Sequence, residues 1–183
     1  MVQVRVTHAE QIEKLFERTP KQAKIILWRA INRAATAART RASVGIRQQY
    51  VINAADVKRR IKIRTATASR LSAQVRASGP VTPLMKFKVT PTFPDAMLVR
   101  AKVKRQGTQT PIQNGFVARV SNGHINVFTR VGSSRYPIQG RFGPSIAQMM
   151  GKDEIVKGIQ GRAQEVLDNR LEHEFNRLLR GEF

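Results

Sequence analysis

The sequence predicts an α+β fold, an antiparallel β-sheet with hairpins packed with a long N-terminal helix and a C-terminal amphipathic helix. Three features point to it: helical apolar periodicity at both ends of the 183-residue chain, strand-like alternation in the middle, and an Asn-Gly turn between two apolar runs. A chain of this length buries roughly 70% of its unfolded surface, enough for a core without covalent staples. It has no cysteine, which removes disulfides and thiolate metal sites together.

In chain order, Thr7 with Glu10 and Thr19 with Gln22 read as capping boxes, the second with Pro20 at the first helical position, where its missing N–H is harmless. Residues 1–19 are therefore expected to form a capped N-terminal extension, and residues 20–183 a single α+β domain. From Pro20 to Gln49, Ala23, Leu27, Ile31, Ala34, Ala38, Ala42 and Ile46 repeat at helical spacing, with Arg29, Arg33 and Arg47 on the other side. That helix reads as scaffold with a solvated basic back. Asn53 caps a short helix, Ala54–Arg60, with Asp56 at its positive end.

Alternation of polar and apolar residues predicts strands at Ile61–Arg64, Leu71–Arg76, Lys86–Val89 and Val99–Lys104, with a basic polar face throughout. In the last, Arg100, Lys102 and Lys104 point one way and Val99, Ala101 and Val103 the other. Gln106–Gly115 is polar and reads as a mobile loop. Asn122-Gly123 predicts a type I′ hairpin pairing Ser121 with His124. This register puts Phe116, Ala118, Val120, Ile125, Val127 and Val131 on the core face, and Arg119, His124, Asn126 and Arg130 outside. Gly132–Gly151 is punctuated by Gly and Pro and reads as a long structured loop. Helical periodicity returns over 152–180 through Ile155, Ile159, Ala163, Val166, Leu167, Leu171, Phe175 and Leu178.

The net charge of +21 is concentrated in one block. Residues 21–150 carry 24 basic residues against only Asp56 and Asp95, a net +22, whereas the last 33 residues are nearly balanced. Such a block repels itself, and a polyanion, most often nucleic acid, relieves the repulsion. The densest clusters are Lys58, Arg59, Arg60, Lys62 and Arg64, and Arg100, Lys102, Lys104 and Arg105. They are the expected nucleic-acid contacts. One Trp and two Tyr leave little for base stacking, so the expected mode is sequence-tolerant contact with phosphates. The competing reading has these cations facing acidic patches on neighbouring proteins.

Enzymatic chemistry is not expected. Metal-assisted phosphodiester cleavage needs clustered carboxylates, and the basic block has two acids. His173-Glu174 begins like a zinc-protease helix, but Arg177 stands where the second ligand belongs, so the pair reads as a solvated helix face. His8 and His124 have no partner in sequence, and no P-loop or dinucleotide fingerprint appears. No metal or cofactor is expected. The longest apolar runs, Ile25–Trp28 and Ala96–Val99, fall short of the ~18 residues of a membrane span. Arg5, Glu10, Glu13 and Lys14 interrupt any secretory signal, so a soluble, cytosolically made protein is expected.

The order of the segments resembles the phage minor tail protein Z family, also described as tail completion proteins. Ala30-Ile31-Asn32-Arg33-Ala34-Ala35-Thr36-Ala37-Ala38-Arg39-Thr40-Arg41 is similar to its first long helix, and Ala55-Asp56-Val57-Lys58-Arg59-Arg60-Ile61 to the basic turn that follows. Leu71-Ser72-Ala73 and Lys86-Phe87-Lys88-Val89 resemble its early strands. Gly123-His124, Val127-Phe128, Arg130-Val131-Gly132, Tyr136-Pro137-Ile138, Phe142-Gly143-Pro144-Ser145 and Ala163-Gln164-Glu165-Val166-Leu167 complete the series. Tyr136 and Phe142 stand where Leu and Tyr are commoner in that family. The resemblance covers about residues 20–180. It implies a structural virion protein that completes the head-proximal end of the tail, contributes to head–tail joining and lies near the DNA path. Its implied partners are other tail and neck proteins and DNA. By analogy with tail symmetry it forms a homo-oligomeric ring, a hexamer. Tyr136, Pro137, Phe142, Gly143 and Pro144 are the expected interface, because so many backbone-restricting residues share one segment. The alternative is a free nucleic-acid-binding protein of nucleoid or RNA-chaperone type.

Overall fold

A computed structural model describes residues 20–96, 98–120 and 123–180. The predicted capping boxes at Thr7 and Thr19, and the turn residues Ser121 and Asn122, lie outside them. The described chain separates into two compact units. One contains residues 20–44, 61–77 and 150–180, the other residues 45–60 and 78–149.

The first unit is built on two long helices, α1 (Pro20–Gln49, of which residues 20–44 lie here) and a C-terminal helix, Asp153–Leu179. Both occupy nearly the spans that periodicity predicts. Ala23, Ile26, Leu27, Ala30 and Ala34 pack against Leu167 and Leu171 in one buried cluster, with Ile31, Leu71 and Phe175 at its edge. Alanine at every turn lets the helices approach closely. In the C-terminal helix Ile155, Ile159, Ala163, Leu167 and Leu171 recur every fourth residue and are all buried. Glu174 continues that stripe and is fully buried, which corrects the expectation of a solvated His173-Glu174 face. Its carboxylate lies 2.6 Å from Arg170 Nη2 and 3.6 Å from Arg177 Nη1, so charge pairing offsets its desolvation.

Strands β1 (Ile61–Arg64) and β2 (Gln74–Ala77) form an antiparallel pair in this unit, with Ile61 opposite Ala77 and Ile63 opposite Val75. The predicted strand at Leu71–Arg76 begins later because Leu71 is drawn to the helical cluster. Asn32 of α1 anchors the connecting turn, its Nδ2 donating to Ala66 O at 2.9 Å and its Oδ1 accepting from Ala66 N at 2.7 Å.

The second unit contains α2 (Ala54–Arg60), whose Ala55 N–H donates to Asn53 Oδ1 at 3.0 Å as the cap predicts. Lys86 Nζ meets Asp56 Oδ1 at 3.2 Å. Two antiparallel three-stranded sheets follow. One joins β4 (Lys88–Thr90), β5 (Arg100–Lys102) and β6 (Thr110–Pro111), and the other joins β7 (Gly115–Arg119), β8 (Ile125–Arg130) and β9 (Ile138–Gly140). A two-stranded ladder pairs β3 (Thr82–Pro83) with β10 (Phe142–Gly143). Leu84–Lys86 forms a 3-10 turn where a strand start is predicted.

The β7–β8 hairpin exists, but its register differs by one residue from the predicted one. Val117 faces Val127, and Val120 N–H donates to His124 O at 2.9 Å. A one-residue slip exchanges faces. Val117 and Val127 are fully buried, Val131 is 66% exposed, and Asn126 is inside. As the central strand, β8 is covered on both faces, and Asn126 keeps its amide satisfied there: Oδ1 accepts from Met85 N–H at 3.4 Å and Nδ2 donates to Arg141 O at 3.0 Å.

The segment expected to be one long loop from Gly132 to Gly151 contains β9, β10 and α3 (Ile146–Met150). Ser145 and Gln148 cap α3 reciprocally, Gln148 N–H donating to Ser145 Oγ at 3.2 Å and Ser145 N–H to Gln148 Oε1 at 2.8 Å. Likewise Gln106–Gly115, expected to be mobile, contributes β6 to the edge of a sheet.

Candidate nucleic-acid interface

The predicted cations fall on different elements and do different work. Lys58, Arg59 and Arg60 form the exposed last turn of α2, where they also complement the helix's negative end. Arg60 has a local role as well: its side chain lies where a Cβ on Gly79 would stand, 3.1 Å from Arg60 Cδ, and Gly79 has φ +133°. Arg105 is drawn into the end of α1, its Nε donating to Arg47 O at 2.5 Å and its N–H to Gln49 O at 2.8 Å. It caps carbonyls that the helix leaves unpaired. Lys104 is exposed opposite Tyr50.

Strand register adds what spacing in sequence does not reveal. On β1–β2, Lys62 stands directly opposite Arg76, with Arg64 one pair further along the same exposed face. On β4–β5, Lys88 stands opposite Lys102, and Arg100 opposite Thr90. Arg76 and Lys88 thus join the candidate residues of their respective units, although neither is among the densest runs of sequence. Directly opposed like charges destabilise a ladder. Among the described residues none of Lys62, Arg76, Lys88 and Lys102 forms an ion pair.

The predicted interface residues separate into two settings. Phe142 pairs with Pro83 and is 51% exposed, while Gly143 pairs with Thr82, and a Cβ there would stand 2.5 Å from Phe87 Cε2, so the position requires glycine for space and not for a positive φ. Pro144 leads directly into the Ser145 cap. Tyr136, 66% exposed and preceding Pro137 through a cis peptide bond, lines a broad open concavity of about 1410 Å³ with Leu98, Phe116 and Ile138. Leu98 is 90% exposed and held at φ +56°, a conformation that branched side chains rarely adopt. Arg100, Arg119, Arg130 and Arg135 surround this apolar floor. The Arg130 guanidinium lies 5.2 Å from the centre of the Phe116 ring, and that of Arg135 lies 5.8 Å from the centre of Tyr136.

No group of three or more His, Asp or Glu among the described residues is placed to hold a metal ion, and no described helix is long and apolar enough to cross a membrane. No curated protein and no solved structure matches the chain. The family model described as prophage minor tail protein Z (GPZ) matches residues 8–182. That match covers nearly the whole chain and runs through both units, and it agrees with the segment order from the first long helix to the last: the chain belongs to the prophage minor tail protein Z family.

Proposed function

We propose that this phage tail protein completes the head-proximal end of the tail, contributes to head–tail joining and holds the DNA path through phosphate contacts, as one copy in a ring of six. The observation that carries the DNA contact is the cross-strand pairing of like charges in two separate ladders, Lys62 with Arg76 and Lys88 with Lys102. A fold seeking stability alone has no use for either pair, and phosphates bound at each ladder turn its repulsion into attraction. Within the first unit Arg64 extends the Lys62–Arg76 face, and in the second unit Lys58, Arg59, Arg60, Arg100 and Lys104 are further phosphate contacts.

The concavity around Tyr136 and Leu98 serves the second half of the role. It takes a segment of a neighbouring tail protein that presents an apolar side chain flanked by carboxylates, the chemistry that an aromatic and aliphatic floor ringed by guanidinium groups selects. Leu98, exposed despite its strained backbone, is its apolar anchor.

Titrating duplex DNA against the protein and a Lys58→Ala, Arg59→Ala, Arg60→Ala variant tests the DNA contact. Each lost phosphate contact should flatten the slope of log K against log salt by about 0.9. Wild-type protein without measurable DNA affinity at low salt removes the DNA reading. Size measurement of the purified protein and imaging of tails carrying a labelled copy test ring and location. A monomer that binds DNA and is missing from tails would favour a free nucleic-acid-binding protein instead.

A further inference from the structure

We infer that the groove between α1 and the C-terminal helix of the first unit is a second phosphate site, separate from the strand faces and made to grip a phosphodiester backbone lengthwise. The inference rests on the DNA-contact reading above and extends it to a surface that in sequence reads as scaffold.

The groove is a cleft of about 550 Å³ that the two helices line from opposite sides. Arg33 and Arg41 come from α1, and Arg162 and Arg170 from the C-terminal helix. Each pair is spaced eight residues apart, which at 1.5 Å per residue is about 12 Å along a helix. The helices run antiparallel, so Arg33 meets the Arg170 end and Arg41 the Arg162 end. The backbone positions of the two arginines on each helix are therefore offset by about 12 Å along one groove.

Local structure positions three of these side chains. The buried Glu174 carboxylate grips Arg170 at 2.6 Å, and Glu165 meets Arg162 at 2.6 Å. Gly158 leaves the space that Arg41 occupies: a Cβ there would stand 3.2 Å from Arg41 Nη2. Each guanidinium has five N–H donors, more than a single carboxylate uses, so Arg162 and Arg170 keep donors for a ligand.

The lining favours phosphate over protein. It contains no carboxylate, and its floor of Ala37, Val44 and Val166 is small and aliphatic, with no recess for the large apolar anchor that a docking protein segment needs. No Phe, Tyr or Trp lines it, so bases have little to stack on beyond the His173 imidazole. The hydroxyls of Thr36 and Thr40 donate back to Asn32 O and Thr36 O, which leaves the donor role to the guanidinium groups with Asn169 and His173. A row of guanidinium forks with few base-reading groups suits a regularly charged, sequence-indifferent chain.

The test uses the full chain carrying Arg33→Gln and Arg162→Gln, one guanidinium from each helix and each end of the groove, with a fluorescent 20-base-pair duplex titrated across a salt series. The slope of log K against log salt should flatten by about 2 units. The charge-preserving Arg33→Lys, Arg162→Lys variant should keep the wild-type slope, and it serves as the comparison if the glutamine variant melts early by circular dichroism. An unchanged slope in the glutamine variant, alongside a flattened one in a Lys62→Gln, Lys88→Gln variant, overturns the groove and leaves the strand-face contact standing. Absence of DNA binding by the wild type overturns both. Loss of binding to poly-glutamate with DNA affinity intact also overturns it, since the groove then takes carboxylates of a protein.

Discussion

Replacing Lys62 and Lys88 by glutamine removes one member of each like-charged cross-strand pair, and the structure predicts two effects of opposite sign. Both residues are exposed, and their partners Arg76 and Lys102 stand directly across the ladder. Side chains in such pairs are ~5 Å apart at Cβ, and a like-charged pair costs about 0.2–1 kcal/mol relative to a neutral one. The ladders share no residue, so relief at both adds to about 0.4–2 kcal/mol of stability for the free protein. For a chain of this size that is about 1–8 °C in Tm. The gain is electrostatic: it should be largest near 20 mM salt and vanish by 1 M, where the screening length is about 3 Å. The same substitutions should flatten the salt slope of DNA binding by about 2 units. Thermal melts and anisotropy titrations on one preparation measure both. A variant that melts no higher at low salt and keeps the wild-type slope refutes the argument that the paired cations repel each other and await a polyanion.

Further substitutions separate folding from docking. Gly143→Ala should lower stability by about 1–3 kcal/mol through overpacking against Phe87, and Phe87→Leu added to it should recover part of the loss in urea denaturation. Asn126→Leu leaves Met85 N–H unpartnered, while Arg141 C=O keeps the Leu84 N–H at 3.1 Å, and should cost about 1–3 kcal/mol in the same assay. Leu98→Gly relieves a positive φ and should leave the thermal midpoint no lower, while tails assembled with it fail to retain the neighbouring protein in pull-down. Glu174→Gln removes the buried countercharge of Arg170 and Arg177 and should lower the midpoint by several degrees.

Elements whose signals are local were legible in the sequence. Pro20–Gln49, Ala54–Arg60 and the C-terminal helix stand within a residue of their predicted limits, because periodicity and caps act within one turn or two. The Ser145-Ile146-Ala147-Gln148 capping box was equally present, yet the surrounding Gly and Pro masked it. For the hairpin, the Asn-Gly signal located the turn but not the register. Apolar residues flank it at both parities, so either register buries a plausible face, and only packing around β8 selects between them.

By itself the sequence determined the α+β class, the long helices, the +22 block and the segment order that the family shares. These follow from short-range periodicity, composition and order, which need no coordinates. Tertiary structure alone decided which cations oppose each other across a ladder, why Gly143 must lack a side chain, that Asn126 and Glu174 are interior, and that Arg33 and Arg41 line one groove with Arg162 and Arg170. Charge clusters in a sequence are counted along the chain, whereas electrostatic and steric energies depend on distance in space. Residues more than 120 positions apart become neighbours only when two apolar stripes bury each other, so the groove they line is a consequence of the core.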